Sequence, residues 1–197
     1  MNTTSQPFFV AAGDPPAKRA ILAAALDLFA ERGVDGVTVR DIAARTGFTN
    51  PALFRHFAGK EELAFALFEA CYRRLAATFA QAERAGAGLR GVVDTALRLI
   101  EEQPAAVHYV FENLRRYFRA LPPEVRATSI LGTVRRLVAT EAATGSLRGD
   151  AHPDLAVAVV LGTIGQIARM AHFGELPQRP SALAAELWSV LHRGLGA

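Results

Sequence analysis

Apolar residues recur every three to four positions through most of the chain, and glycine and proline interrupt this pattern at intervals. That spacing is typical of one face of an α-helix, and no stretch alternates apolar and polar residues as a half-buried strand does. The pattern therefore predicts an all-α fold of about nine helices. The interruptions fall at residues 33–36, 47, 58–59, 86–88, 103–104, 121–123, 145–153 and 174–180.

Two short predicted helices on either side of Gly47 form the most informative part of the pattern. Thr38 precedes Asp41 by three residues, which is the spacing of a capping box at a helix start. Gly47 can adopt the left-handed conformation that ends a helix, and Pro51 suits the first turn of the next one, for which Thr49 is the expected N-cap. The second helix is expected to begin at about residue 50. This arrangement predicts a helix-turn-helix.

The second of these helices has an apolar side and a polar side. At about 100° per residue, Leu53 and Phe57 share one side, and Arg55 lies on the other beside small residues. An outward arginine can contact a guanine edge in the major groove, and short polar side chains can bond bases or phosphates. Lys60 and the start of a helix near residue 59 are expected to hold a phosphate. Ordinary helical packing with a solvated polar face gives the same pattern, so that alternative stays open.

The same stretch resembles the DNA-binding domain of the tetracycline-repressor (TetR) family. The resemblance covers residues 17–63, including the run GFTNPALFRHF from Gly47 and the Lys-Glu-x-Leu that follows. It is specific because every element falls at the family's spacing, although the family usually has tyrosine in place of Phe54, and His56 matches a phosphate-side histidine. The complete set of candidate DNA-contacting residues is Thr38, Arg40, Thr49, Asn50, Pro51, Ala52, Phe54, Arg55, His56 and Lys60.

The resemblance also implies a division of the chain and a function. It implies a flexible tail (residues 1–16), a three-helix DNA-binding domain (17–62) and a helical ligand-binding and dimerisation domain (63–197). The protein would then be a homodimeric transcriptional regulator, most often a repressor in this family. It would bind a palindromic double-stranded DNA operator and be released by a small-molecule effector through movement of the fourth helix.

Charge and composition agree with this interpretation. Lys and Arg exceed Asp and Glu by 22 to 19, and residues 16–60 contain seven basic against four acidic residues, so the excess lies in the predicted DNA-binding domain. Hydrophobic residues make up 51% of the chain, which indicates a globular protein with a sizeable core. We expect a cytoplasmic protein without membrane contact, because residues 1–10 lack a signal peptide and the uncharged stretch 155–168 is too short to span a bilayer.

Catalysis and cofactor binding have no candidates in the sequence. The run Gly86 to Gly91 matches the dinucleotide fingerprint G-x-G-x-x-G, but a helix and not a strand precedes it, so we interpret it as a helix–helix turn. The five histidines show no metal-ligand spacing. Cys71 lies in a helical pattern and is expected to be buried and inert rather than a redox sensor.

The resemblance places an effector pocket, expected to be largely apolar, in the C-terminal two-thirds of the chain. The segment HYVFENLRRYF (108–118) mixes aromatic residues with polar anchors, as such a pocket would. A solvated face with an aromatic core stripe is the alternative interpretation. The candidate ligand-contacting residues are Phe68, Tyr72, His108, Tyr109, Glu112, Asn113, Arg116 and Tyr117.

Two apolar helices near the C-terminus are the candidate dimer interface. Small residues recur about once per turn in the first, which permits close helix packing, and the second carries an apolar stripe. Packing within a single subunit is the alternative. The candidate interface residues are Ala158, Leu161, Gly162, Gly165, Ala168, Leu183, Leu187, Val190 and Leu191.

Two other classes of protein fit parts of this pattern. A helical enzyme or carrier would use the same pocket without binding DNA duplexes, and a helical architectural protein would bind DNA without sequence preference. Salt-dependent, sequence-specific binding to duplex DNA separates these classes from a regulator.

Overall fold

The computed structural model of the chain describes residue 9 and the ranges 13–147 and 152–195. Its numbered elements in these ranges are ten α-helices and two short 3-10 helices, which confirms the all-α class. Most of the predicted tail, residues 1–16, and part of the predicted break at 145–153 lie outside the described residues. The α-helices are α1 Pro16–Arg32, α2 Val39–Thr46, α3 Asn50–Phe54, α4 Lys60–Arg84, α5 Gly88–Glu102, α6 Pro104–Tyr117, α7 Pro123–Ala127, α8 Ile130–Ala143, α9 Pro153–His172 and α10 Ala184–Leu195, and the 3-10 helices are Phe118–Ala120 and Pro180–Leu183.

The region expected to form one helix after residue 123 forms two, α7 and α8. Helix α7 ends before Thr128, and Ser129 then acts as the N-cap of α8, where its hydroxyl accepts a hydrogen bond of 3.1 Å from the backbone N–H of Gly132. A serine N-cap satisfies a donor that a helix start leaves open. Adjacent Thr128 and Ser129 were the sequence signal for this second helix start.

The chain divides into two compact units. The first contains residues 1–74 and 109–120, and the second contains residues 75–108 and 121–197. This division by compactness differs from the boundary predicted after residue 62, because the first half of α4 and the second half of α6 both belong to the N-terminal unit.

The N-terminal unit is built around a core of helix faces and buried aromatic residues, of which Tyr109 is the most enclosed tyrosine. Tyr109 is 1% exposed, stacks against Phe29 at 5.9 Å between ring centroids, and donates a hydrogen bond of 2.8 Å to the carbonyl oxygen of Ala64. Cys71 is also fully buried, and burial raises the pKa of its thiol, as expected for an inert cysteine. The other large buried side chains here are Ile21, Leu28, Ile42, Leu63, Leu67 and Phe68.

The C-terminal unit places α5 against α8, α9 and α10. The glycine-rich run that matches the dinucleotide fingerprint follows a helix, as the sequence predicts; it begins in the turn after α4 and continues into the first turn of α5. The first backbone N–H groups of a helix are where a phosphate would bind. Here the N–H of Leu89 donates to the carboxylate of Glu141 at 2.7 Å, so an internal acidic side chain already uses this helix start.

Candidate nucleic-acid interface

The start of α2 is fixed by the predicted capping box. The backbone N–H and the hydroxyl of Thr38 each donate to Asp41 Oδ2 at 2.7 Å, and the N–H of Asp41 donates to Thr38 Oγ1 at 3.2 Å. The hydroxyl hydrogen bond, followed by the backbone one, lowers the pKa of Asp41. Because the hydroxyl hydrogen is already bonded, Thr38 can donate it to DNA only by opening the capping box.

The turn between α2 and α3 follows the prediction in its backbone and differs in one side chain. Gly47 ends α2 with φ of 73°, the left-handed conformation that favours glycine. Thr49 occupies the N-cap position, where its carbonyl accepts from Ala52 N at 2.9 Å, but its hydroxyl makes no capping hydrogen bond. Thr49 is exposed, and its hydroxyl is not used to cap α3.

Helix α3 is shorter than expected and ends at Phe54, but together with the residues that follow it the segment divides into a buried and an exposed side as the sequence predicts. Leu53 and Phe57 are buried in the N-terminal unit, whereas Pro51 and Arg55 are exposed. Phe54, expected to be a packing residue if not a DNA contact, is 51% exposed. Half-buried side chains complete this surface: Asn50, Ala52 and His56, with the His56 ring 6.5 Å from that of Phe57. A narrow, mostly small-residue surface with one outward arginine is suited to the major groove.

Arg40 is a second exposed arginine in the N-terminal unit. It lies in the first turn of α2, directly after the capping box, and is exposed. Helix α2 packs against both α1 and α3. Arg40 in α2 and Arg55, the residue that follows α3, therefore belong to neighbouring segments of one compact unit.

Lys60 begins α4, as expected, but its surroundings differ from an open phosphate site. Its Nζ donates a hydrogen bond of 2.8 Å to the carbonyl of Val34, and Glu61 and Glu62 follow it in the first turn. Glu62 accepts from the N–H of Ala58 at 2.7 Å. An ammonium has three donors, so two remain for a phosphate. The acidic side chains beside it oppose an anion, and sequence reasoning gave them no weight.

An ionic cluster next to Lys60 was not predicted. Arg116, near the end of α6, donates from Nη1 to both carboxylate oxygens of Asp35 at 3.0 and 3.1 Å and from Nη2 to Glu61 at 2.8 Å. The hydroxyl of Tyr117 donates to the other oxygen of Glu61 at 3.2 Å, and burial together with the charge of Glu61 raises the pKa of Tyr117 to about 12. In the sequence, Arg116 lies 55 positions from Glu61 and 81 positions from Asp35, and no spacing pattern connects residues so far apart. Only the fold brings them together.

The candidate ligand-contacting residues lie in different surroundings. Phe68, Tyr72, Tyr109 and Tyr117 are buried in the N-terminal unit, while Glu112 and Arg116 are exposed there. Asn113 donates to the carbonyl of Tyr109 at 2.9 Å. His108 belongs to the C-terminal unit, where its ring stacks on His172 at 3.4 Å. Several of their polar groups therefore have partners within the chain, and ligand contact stays a prediction.

The candidate dimer residues are split between the surface and the interior of the C-terminal unit. Ala158, Gly162 and Val190 are exposed, and a Cβ added at Gly162 meets no atom within 4 Å. Ala168, Leu187 and Leu191 are buried within their own subunit, while Leu161, Gly165 and Leu183 are half-buried. Two large apolar side chains of α9 are also open to solvent: Leu155 is 65% exposed and Val159 is 43% exposed.

Helix α9 also changes the expectation about membrane contact. Among the described residues it is the one helix long and apolar enough, by length and composition, to cross a bilayer. The uncharged stretch 155–168 is part of this longer helix, which has 20 residues. The core helix of a soluble protein passes the same test, so this feature is weak evidence for a membrane.

The N-terminal domain matches a known family. The family described as bacterial regulatory proteins, tetR family, matches residues 21–67. The class A tetracycline repressor protein from transposon 1721 of Escherichia coli is 52% identical over 50 residues, 25% of this chain and 23% of that protein. The transcriptional repressor AcnR of Corynebacterium glutamicum is 47% identical over 60 residues, 29% of this chain and 32% of that protein. The matched stretch thus spans about a quarter to a third of these curated relatives.

Solved structures extend the similarity to the whole fold. The ketosteroid transcriptional regulator KstR2 of Mycobacterium tuberculosis has a TM-score of 0.80 at 22% identity, covering 95% of this chain and 99% of that one. The transcriptional regulator FadR of Bacillus subtilis, solved in complex with stearoyl-CoA, has a TM-score of 0.68 at 17% identity, covering 89% and 97%. At these identities the similarity shows a shared fold.

Proposed function

We propose that this chain, whose N-terminal domain matches the tetracycline-repressor family, is a transcriptional regulator that binds a DNA operator through α3. The observation that carries this proposal is the division of α3 and its flanks into a buried side, Leu53 and Phe57, and an outward side with Arg55. An exposed arginine at the end of a short helix that fits the major groove can donate two hydrogen bonds to guanine, at O6 and N7. Repression is the proposed sign of regulation because the two relatives compared above are named repressors, although another matched relative is named an activator.

The proposed contacts fall into two kinds. Arg55 and Arg40 read base edges, together with the short side chains at the start of α3. Lys60 contacts a backbone phosphate with the donors that Val34 leaves unused. Contacts to bases give specificity, and contacts to phosphates give affinity that does not depend on sequence.

Paired substitutions test this assignment. A cognate duplex is first selected from a random library with the wild-type protein, and affinity is then measured by fluorescence anisotropy on this duplex and on a random one. Arg55→Ala should cost roughly 1–3 kcal/mol on the cognate duplex and little on the random one, and Lys60→Ala should weaken both alike. Equal losses on the two duplexes for Arg55→Ala would contradict base reading by this residue. Failure of the wild-type protein to bind any duplex would favour a helical carrier or enzyme instead.

We propose that two subunits pair through the exposed face of α9, with Val190 of α10 beside it. This face carries Leu155 and Val159, and a small residue at Gly162 permits close approach of a second helix. Pairing of this kind is isologous, and its two-fold symmetry matches a palindromic operator. It would also cover the apolar surface of α9 without a membrane, consistent with a soluble cytoplasmic protein.

The dimer proposal has a direct test. Gly162→Arg adds a charged side chain where the subunit itself has open space, so the monomer should fold normally and fail to pair. Light scattering after size-exclusion chromatography should show a monomer for Gly162→Arg and a dimer for the exposed control Ala77→Arg. A dimeric Gly162→Arg protein would place the interface elsewhere.

A largely apolar small-molecule effector completes the proposal. The family resemblance and the complex of the FadR neighbour with stearoyl-CoA support this proposal. The candidate residues themselves add little support, because several of their polar groups form hydrogen bonds within the chain. Operator DNA and an effector that releases it must weaken each other's binding by the same factor. Titration with stearoyl-CoA in the presence and absence of the cognate duplex measures this factor. Equal affinities in the two titrations would remove this compound as an effector.

A further inference from the structure

The ionic cluster of Asp35, Glu61 and Arg116 lies beside the residue proposed to contact phosphate. Lys60 donates a hydrogen bond to the carbonyl of Val34. In the sequence, Glu61 follows Lys60 and Asp35 follows Val34, so the two acidic residues flank this hydrogen bond. The two carboxylates are open to solvent, with side chains 84% exposed for Asp35 and 60% exposed for Glu61. Negative charge is therefore present at the part of the N-terminal unit that would approach DNA.

Consecutive Cα atoms are only 3.8 Å apart, and at physiological salt charges interact over about 8 Å before screening dominates. A carboxylate next to a phosphate-binding lysine therefore lies within range of the same phosphate and opposes its binding. Both carboxylates are neutralised in part by one guanidinium, which bonds three of their four oxygens, and Tyr117 bonds the fourth.

We propose that Arg116 is a positioning residue for DNA binding, which masks the charges of Asp35 and Glu61 from the phosphate backbone without touching DNA itself. This inference rests on the proposed DNA-binding function. It gives α6 an electrostatic role in the N-terminal unit. This role differs from a purely structural one because it depends on the charges of Asp35 and Glu61.

The geometry suits masking. Arg116 approaches both carboxylates through separate nitrogens, which is the forked arrangement that a planar guanidinium provides and an ammonium does not. The hydrogen bonds that Arg116 donates to Asp35 raise the pKa of Arg116, so the arginine stays charged across the range in which the protein can be studied. Without this arginine, Asp35 and Glu61 would present two unit charges of the same sign as the phosphates.

The test uses the full-length protein and a labelled random-sequence duplex, because masking acts on phosphates and not on bases. Arg116→Gln should weaken binding by roughly three- to tenfold at low salt, and the difference from wild type should shrink as salt is raised. The matched control is Arg135→Gln in the C-terminal unit. It removes the same charge from another exposed ion pair, with Asp154, and should bind like wild type.

Neutralising the carboxylates separates masking from a structural role. Adding Asp35→Asn and Glu61→Gln to Arg116→Gln should restore affinity to the wild-type level or above, because nothing is left to mask. A triple variant as weak as Arg116→Gln would overturn the inference, as would an Arg116→Gln protein that binds like wild type or loses affinity equally at all salt concentrations. A wild-type protein that shows no salt-dependent binding would overturn the proposed function together with the inference.

Discussion

Tyr109 offers a quantitative test of how the N-terminal unit is held together. Its ring is 1% exposed and stacks on Phe29, and its hydroxyl donates to the carbonyl of Ala64. Tyr109→Phe removes only the hydrogen bond, and the Ala64 carbonyl keeps its partner in the backbone ladder of α4. We expect a loss of about 0.5–1.5 kcal/mol in the free energy of unfolding. Tyr109→Ala also removes the ring and leaves a cavity, so its expected cost is about 3–5 kcal/mol.

Urea denaturation at one fixed protein concentration measures both changes. Far-UV circular dichroism follows all helices, whereas the single tryptophan, Trp188, reports on the C-terminal unit. The loss should therefore be larger in the dichroism transition than in the fluorescence transition. Arg115→Ala, at an exposed position of the same helix, is the control and should change stability by no more than about 0.5 kcal/mol. A Tyr109→Ala protein no less stable than this control would refute the structural role of Tyr109.

Two further predictions concern stability. Thr38→Ala should lower the free energy of unfolding by about 1 kcal/mol through loss of the capping box, while Thr140→Ala, at an exposed position inside α8, should not; equal urea midpoints for the two would contradict the role of the cap. Hydrogen bonds lower the pKa of Asp41, Glu83 and Glu101, so these carboxylates stabilise the folded state above their unfolded values of 3.8 for Asp and 4.5 for Glu and lose this contribution as pH falls through their lower folded values. Burial raises the pKa of Asp27, which acts in the opposite direction but is one group against three, so a urea midpoint that rises on acidification would contradict this balance.

Local sequence signals predicted the backbone of the DNA-binding head. The Thr38–Asp41 spacing, the left-handed Gly47 and the inward Leu53 and Phe57 all follow from neighbours within one or two helical turns, and the structure contains each of them. Such features depend on propensity and periodicity, which a sequence displays directly. The start of α8 at Ser129 has a signal of the same kind, a serine N-cap, which glycine and proline positions alone do not reveal.

Long-range pairs could not be predicted in the same way. Arg116 meets Asp35 and Glu61, and Tyr109 meets Ala64, only after α6 has packed against the head. Before folding, these residues differ in no local property from other exposed arginines and aromatic residues on amphipathic helices. The sequence accordingly indicated that this segment was polar and aromatic and assigned it to an effector pocket, whereas the structure bonds much of its polar surface within the chain.

The affinity ratio of the wild-type protein for a selected duplex over a random one tests the central claim most directly. The two constants should be measured by the same anisotropy assay at one salt concentration, because the phosphate contribution depends on salt. A sequence-reading regulator should bind its selected duplex roughly a thousandfold or more tightly than the random one. Equal affinities for the two duplexes, or no binding to either, would contradict a specific operator-binding function for the exposed face of α3.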